Sequence, residues 1–551
     1  MKLNKKNGGQ ILAESLYNHG INTIFMVPGE SYLAAIDGLY DYRNEIKLIT
    51  CRHESGAANM AEAYGKISKQ PGIVFVTRGP GACHASVGVH TAMQDSTPMI
   101  LFIGQITRKN KGREAFQEVD YEKMFTPPFC KWAYEVKKTE ELPKVINKAF
   151  QVSLSGRPGP VVISLPEDML EEKIQYEPLE PEKIFTVCPK VKPIESVLNI
   201  LGESSKPLII VGGGDWDGKG AKDLVHFAEK NHIPIAVSFR RQALVNNNST
   251  SYVGDLSTSV DMNLVKYVKS ADLILVIGAR LGEMTTKGYT TITNNGNQKI
   301  IHIYPDSNEL GKVYDPLIEI KSNSSECAKI LRGKLIKNIT WKKWTKMGND
   351  NYIRYSTPSP YKTEPDMGKI MTYLKHTMPN NTIVTIDAGN FSGWIQRFWT
   401  FSEPLTQIAP TSGAMGYAIP AAIAAKIAKK HTQVIGFCGD GGFMMSSQEL
   451  ATANQYGIKP LIILINNSML GTIRMHQEIH FPRRIITTDL INPDFKLLAS
   501  SYNLHSERVQ KTSEFPNALD RSIKSKKAAI IEIQVDPNQI TTSKTIKDLN
   551  N

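Results

Sequence analysis

Short, unbroken apolar runs rich in Val, Ile and Leu recur along the chain, separated by longer stretches with helical spacing. Such runs predict strands buried on both faces of a parallel sheet, with helices as the crossovers. A first block holds Thr23–Val27, Ile46–Thr50, Ile73–Thr77, Met99–Ile103 and Val161–Leu165. A second holds Pro207–Val211, Ile233–Val237, Leu273–Ile277 and Ile300–Tyr304. A third holds Ile383–Ile386, Val434–Cys438, Leu461–Ile465 and Ala529–Val535. The alternation places the chain in the α/β class, as three parallel-sheet domains. The charged, Pro-rich stretch from Glu171 to Lys192 predicts a linker, and the polar stretch from Lys337 to Thr363 a second separation. The expected boundaries are 1–175, 190–335 and 365–540, with a mobile polar tail after Thr541.

Three stretches need separate treatment. "GGGDWDGKG" follows Pro207–Val211, but it lacks G-x-G-x-x-G spacing and an acid placed for a ribose. It predicts a strand-to-helix turn rather than a dinucleotide site. The most apolar segment, Ala414–Ala428, carries Gly416, Pro420 and Lys426, and predicts a turn followed by a buried helix, not a membrane span. The N-terminal "MKLNKKNGGQILAESLYNHG" is basic but continues into an amphipathic pattern with Glu14 and His19, unlike a signal peptide.

Composition changes this picture little. The 551 residues, 41% of them apolar, suffice for several buried cores. The net charge of +12 comes from lysines scattered over predicted surface helices and the tail, without a basic stripe bearing aromatics. No nucleic-acid or membrane partner is expected. The six cysteines are dispersed, with no C-x-x-C and no Cys/His cluster, which predicts free thiols in a reducing cytoplasm.

Chemistry concentrates in the third block. In "VIGFCGDGGFMM" a strand empties into Gly439, Asp440, Gly441 and Gly442. Glycines after a strand let backbone N–H groups approach a phosphate, whereas an aspartate repels one. A divalent cation between carboxylate and diphosphate resolves the conflict, and predicts a second hard oxygen ligand downstream. "KPLIILINNSMLGT" supplies it: Leu461–Ile465 reads as the next parallel strand, closed by Asn466–Asn467, with a helix over Ser446–Tyr456 between. Asp440 and Asn467 then share the carboxyl edge of the sheet, where open α/β sheets bind ligands.

With that pair in hand, the chain resembles the thiamine-diphosphate-dependent enzymes of the acetolactate synthase group along nearly its whole length. The family's motif is G-D-G followed by N-N, matched by Gly439–Asp440–Gly441 and Asn466–Asn467. The resemblance implies that Asp440, Asn467 and the backbone carbonyl of Met469 hold Mg²⁺, and that Gly413, Gly439, Gly441, Gly442 and Gly471 border thiamine diphosphate. "DAGNFSGW" falls on another diphosphate loop, implicating Asn390 and Phe391. "CRHESGAANMAEAYGK" is similar to the segment whose glutamate bonds the aminopyrimidine N1′, a role that falls on Glu54. A carboxylic acid there favours the imino form of the ring's 4′-amino group, which removes the thiazolium C2 proton. Read alone, Glu54 is a carboxylate at a strand end suited to a surface salt bridge. Met415 in "TSGAMGYAIPAA" matches the side chain that bends the cofactor, although a Met among small residues also reads as simple packing.

The fold so implied has pyrimidine-binding, central and diphosphate-binding domains. Glu54 and Asp440 would serve one cofactor from different copies, so a homodimer or homotetramer with sites at the dimer interface is expected. A regulatory subunit leaves no trace in this chain. "GREAFQEVDYEKMFTPPFCKWAYEV" is similar to the family segment that places Gln117 and Lys131 near substrate or intermediate. His90 reads equally as a cavity residue and as a satisfied core histidine. Two runs depart from the family. "GARLGEMTTKGY" keeps Arg280 but lacks the acidic pair of the flavin-contacting run, which argues against FAD. "GTIRMHQEIHFPRR" has Thr472 for a methionine and His476 for a tryptophan near the acceptor position, with Arg474 beside them. The expected activity is decarboxylation of a 2-oxo acid, pyruvate first, and carboligation to a second oxo compound. The activity belongs to a lyase or transferase, leading with pyruvate to acetolactate and branched-chain amino acids. The alternatives are a decarboxylase or carboligase for another 2-oxo acid, and a non-catalytic cofactor-binding protein.

Overall fold

A computed structural model describes residues 5–293, 296–359 and 363–549. Three six-stranded sheets, each wholly parallel, follow one another along the chain. The first runs Lys47–Thr50, Thr23–Met26, Gly72–Val76, Met99–Gln105, Pro160–Pro166, Trp132–Glu135 across its width. The central sheet runs Tyr252–Leu256, Ile235–Ser238, Pro207–Val211, Leu273–Ile277, Lys299–Tyr304, Ile318–Lys321. The third runs Gln407–Ile408, Ile383–Ile386, Val434–Gly439, Leu461–Asn466, Ala529–Gln534, His505–Val509. Numbered within each domain, the first and third sheets share the order 2-1-3-4-6-5, whereas the central one has 3-2-1-4-5-6. Inner strands such as Gly72–Val76, Pro207–Val211 and Leu273–Ile277 are buried at every residue, because helices cover both faces.

Contact density divides the chain into two compact units. One comprises the described part of Met1–Phe185 with Ile423–Lys430 and Ser446–Ile458. The other comprises Thr186–Ala422, His431–Met445 and the described part of Lys459–Asn551. The first thus borrows the helix Glu449–Gln455 from the third block's sequence.

Several expectations need correction. The linker stretch contains a strand, Lys173–Gln175, paired antiparallel with Lys5–Asn7. The stretch from Lys337 contains the helix Lys342–Ser356, whose Trp344 stacks on Tyr267 at 3.7 Å between centroids. Its polar surface hid two buried tryptophans, Trp341 and Trp344, and its residues 360–362 lie outside the described range. The helix expected over Ser446–Tyr456 is two: Asp440–Ser446, starting directly at the aspartate, and Glu449–Gln455. The tail after Thr541 folds back, with Ile546 N–H donating to Asn538 C=O at 2.8 Å and a helix over Ile546–Leu549. "GGGDWDGKG" is a strand-to-helix turn, leading into Gly218–Lys230 capped by Asp217. Among the described residues no helix is long and apolar enough to cross a membrane.

Candidate active site

At the third sheet's carboxyl edge the apolar strand Val434–Gly439 ends and Asp440 opens a helix, so its carboxylate sits at the positive end of the helix dipole. Asp440 is buried, and burial raises its pKa; the side chain of Asn492 and the N–H groups of Gly441 and Ser468 pull it back down. Asn492 Nδ2 donates to Asp440 Oδ2 at 2.8 Å and to Asn466 Oδ1 at 3.1 Å, tying the ends of two adjacent strands together. Asn467 follows, half-buried, with Oδ1 accepting the Met469 N–H at 3.3 Å. A buried carboxylate, an amide oxygen and a nearby backbone carbonyl form a hard oxygen set that suits a divalent cation.

The glycines keep this edge open and close-packed at once. A Cβ at Gly442 would lie 2.3 Å from Asp387 Oδ2, and one at Gly471 would lie 2.9 Å from Asn467 Nδ2. At Gly413, with φ +71°, a Cβ would meet nothing within 4 Å, so the turn borders open space. Met415 reaches the same place: its Cε lies 3.4 Å from where a Gly441 Cβ would stand. The Met415 turn is held from beneath by Asp387, which accepts the N–H groups of Gly416 at 3.0 Å and Tyr417 at 3.1 Å. Burial pushes the Asp387 carboxyl up to about 6. Arg240 of the central domain donates to the Asp387 carbonyl at 3.2 Å. Asn390, Phe391 and Asn467 line one pocket with Trp394, Gln539 and Ile540. The Asn390 amide is bonded to Gly471 C=O at 3.2 Å and Ile540 C=O at 3.1 Å, and its oxygen accepts Thr472 Oγ1–H at 2.9 Å.

In the first domain, Glu54 is the opening residue of Glu54–Ser68, capped by His53, whose ring accepts the Ser55 N–H. The preceding loop is fixed by Glu449, a fully buried carboxylate that accepts the N–H groups of Arg52 at 3.1 Å and His53 at 2.9 Å. Burial raises the pKa of Glu449. Glu54 Oε2 lies 2.9 Å from His84 Nδ1. His53, Glu54 and His84 offer ligand atoms within 4.8 Å of one another, although the His53 Nδ1 lone pair is already committed to Ser55. Gln117, at φ +64°, packs on the Gly79 turn that opens the His84 helix.

Lys131 is not brought to this edge. It precedes Trp132–Glu135, at the amino end of the parallel sheet, and its ammonium caps the helix Leu142–Leu154 through the carbonyls of Val152 and Ser155. His90 packs against Phe129, 5.8 Å between ring centroids. Arg474 is paired with Glu478 at 2.8 Å, and His476 is exposed, its ring parallel to His480.

The matches to known proteins cover the same three regions. Residues 6–124 match the N-terminal TPP binding domain of thiamine pyrophosphate enzymes, 194–331 their central domain and 387–533 their C-terminal TPP binding domain. The chain is 30% identical to the probable acetolactate synthase large subunit of Methanocaldococcus jannaschii, over 96% of this chain and 92% of that one. The chain belongs to the thiamine-diphosphate-dependent acetolactate synthase family. The acetolactate synthase large subunit of Lactococcus lactis is also 30% identical, over 98% of this chain and 94% of its own. The isozyme 2 large subunit of Escherichia coli is 28% identical over 96% of each. The chain is therefore a thiamine-diphosphate-dependent enzyme built for decarboxylation and carboligation.

Sequence reasoning missed Asn492, Asp387, Glu449 and His84. Of these only Asp387 lay in a run that the sequence had singled out, "DAGNFSGW". The others act on groups that the fold brings near, the Glu54 carboxyl for His84, backbone N–H groups for Glu449, and the Asp440 and Asn466 side chains for Asn492, which no short motif encodes. The central sheet has a switch point of its own. There Gly213 and Gly278 backbones meet, a Gly213 Cβ falling 2.1 Å from Gly278 O, and Trp216 fills the crevice. The helix that would receive a pyrophosphate is capped by the Asp217 carboxylate, 2.6 Å from Gly220 N–H.

Proposed function

We propose that the chain decarboxylates a 2-oxo acid, pyruvate first, and joins the acyl unit to a second oxo compound, with thiamine diphosphate anchored through Mg²⁺ and without FAD. The observation that carries the reading is Asp440, a buried carboxylate at a helix N-terminus on the sheet's carboxyl edge, tied through Asn492 to the strand end bearing Asn467. Such a charge calls for a cation. When bound, the cofactor supplies an electron sink for loss of CO₂ and the carbon that carries the acyl unit.

The chain's own residues do the rest. Asp440, Asn467 and the Met469 carbonyl hold the ion. Gly413, Gly439, Gly441, Gly442 and Gly471 admit the diphosphate, flanked by Asn390 and Phe391. Met415 would brace the cofactor, Glu54 would hold a proton at its pyrimidine N1′, and Gln117 would orient the substrate. Lys131 has no part in this scheme, since its ammonium serves a helix end on the opposite edge. The domains are taken as 1–175 for the pyrimidine, 190–335 for the centre and 365–540 for the diphosphate. Two copies are needed if Glu54 and Asp440 serve one cofactor from different subunits, and the six free cysteines favour a reducing cytoplasm.

Mass spectrometry of products formed from pyruvate, thiamine diphosphate and Mg²⁺ tests the reading, with acetolactate expected. Thr472 and the Arg474–Glu478 pair keep a second reading in play, in which the acid differs from pyruvate. A panel of 2-oxo acids decides it: turnover of another donor with none on pyruvate favours the second. Glu54→Gln should lower turnover about 100-fold or more. Parental activity in that variant contradicts both.

A further inference from the structure

Glu54 is not solvated on its own. Its side chain is 12% exposed, that of His84 is 50% exposed, and Oε2 to Nδ1 measures 2.9 Å. The imidazole therefore stands between a largely enclosed carboxyl and the surface of the chain. The remaining oxygen, Oε1, lies 3.5 Å from where a Gly81 Cβ would stand.

Most of the other titratable and charged groups around Glu54 are committed elsewhere. The His53 ring lies 4.5 Å from that of His84, and its Nδ1 accepts the Ser55 N–H at 3.1 Å. Burial, and then the neighbouring His84, lower the His53 pKa, with Glu54 opposing them. Tyr32 donates its hydroxyl to Val27 C=O at 2.6 Å, and burial raises its pKa. Glu449 is taken up by the Arg52 and His53 N–H groups, and the Arg52 guanidinium by Gln455. The Cys83 thiol next to His84 is exposed. Histidine is the side chain suited to exchange protons with water near neutral pH, and among these groups only His84 touches both the carboxyl and the solvent.

We propose that His84 relays protons between solvent and Glu54, feeding one carboxyl oxygen while the other serves the cofactor. The inference rests on the role proposed for Glu54. His84 acts through Glu54 and is a positioning residue. In the relay a solvent or buffer acid gives a proton to His84 Nε2, and Nδ1 gives its proton to Glu54 Oε2. The ring is left neutral, with Nδ1 accepting the hydrogen bond. The reverse sequence returns the proton to solvent, and no electrons move.

The test uses the full chain loaded with thiamine diphosphate and Mg²⁺, and the variant His84→Gln, which keeps an amide donor for Oε2 but does not titrate. Calorimetry gives the cofactor Kd, and quenched NMR gives the rate of hydrogen–deuterium exchange at the cofactor's C2, in weak buffer with rising imidazole. The Kd should stay within about twofold, while exchange slows about tenfold to 100-fold in weak buffer and recovers as imidazole rises. Parental exchange in His84→Gln, or slow exchange that imidazole does not lift, overturns the relay. Glu54→Gln should exchange slowly at every imidazole concentration. If it exchanges at the parental rate, the role of Glu54 has failed rather than that of His84. A readout independent of the cofactor is the nitrogen NMR signal of His84 Nδ1 in the unloaded chain. It should shift on Glu54→Gln, and an unmoved signal contradicts the contact.

Discussion

The central and C-terminal sheets each carry a switch in strand order at which a ligand crevice is expected. In the central sheet it lies between Pro207–Val211 and Leu273–Ile277, and in the C-terminal sheet between Ile383–Ile386 and Val434–Gly439. Both switch points have glycines after the strands and a helix starting nearby. They differ in what their own side chains do with the space. In the central sheet Trp216 donates to Gly212 C=O at 2.7 Å, Asp215 accepts from Ser324 N–H at 2.6 Å, and Asp217 caps the helix. These three polar groups are answered from within. In the C-terminal sheet Asp440 is enclosed with an amide, Asn492, as its side-chain donor, and the Gly413 turn faces open space. Strand order marks where a ligand belongs in both; only the residues distinguish a site from a filled crevice.

Asp440→Ala breaks that contrast most severely. Magnesium-dependent uptake of thiamine diphosphate should vanish and turnover fall about 100-fold to 1,000-fold, read by calorimetry and product assay. Asp217→Ala in the central sheet should leave both unchanged.

Asp387 comes next. Its carboxyl titrates at about 6 in the fold, above the ordinary 3.8 of an unfolded chain. Between those values the folded state binds the extra proton, so stability falls as pH rises from about 4 to about 6, by up to about 3 kcal/mol, and this group adds no further change above that. Thermal midpoints across this range should drop for the parent and drop less for Asp387→Asn.

The glycines sharpen the comparison further. Gly442→Ala drives a Cβ against Asp387 Oδ2, and Gly213→Ala drives one against Gly278 O from a φ of +85°. Each should cost about 1–3 kcal/mol, visible as a lower thermal midpoint. Only Gly442→Ala should also weaken cofactor binding.

The smallest effect is expected from Asn492→Ala, which removes the amide that orients Asp440. Magnesium affinity should fall about tenfold, measured by titration of the ion at fixed cofactor.

The legibility of the sequence follows the same physics. Every inner strand of the three sheets was readable, because burial on both faces leaves a continuous apolar run. The strands that escaped notice, Trp132–Glu135, Tyr252–Leu256, Ile318–Lys321, Gln407–Ile408 and His505–Val509, all lie at sheet edges. One flank of each faces away from the ladder, and sequences such as IEIK and HSERV mix charge with apolar residues accordingly. At the site, the sequence singled out Asp440 and Asn467 because a carboxylate among glycines suits a cation, and the fold sets both at the ends of adjacent strands. Asn492 and Glu449 were not, since their partners are backbone and side-chain atoms distant in sequence. Lys131 was assigned from a segment resemblance, and its position before an unrecognised edge strand put it at the wrong end of the sheet.

Calorimetry of the cofactor with and without divalent ions tests the central claim most directly. The account predicts that thiamine diphosphate binds the intact chain when Mg²⁺ is present and not when the ion is chelated. Equal affinity in excess chelator would mean that Asp440 anchors no cation, and the arrangement argued for the C-terminal sheet would be wrong.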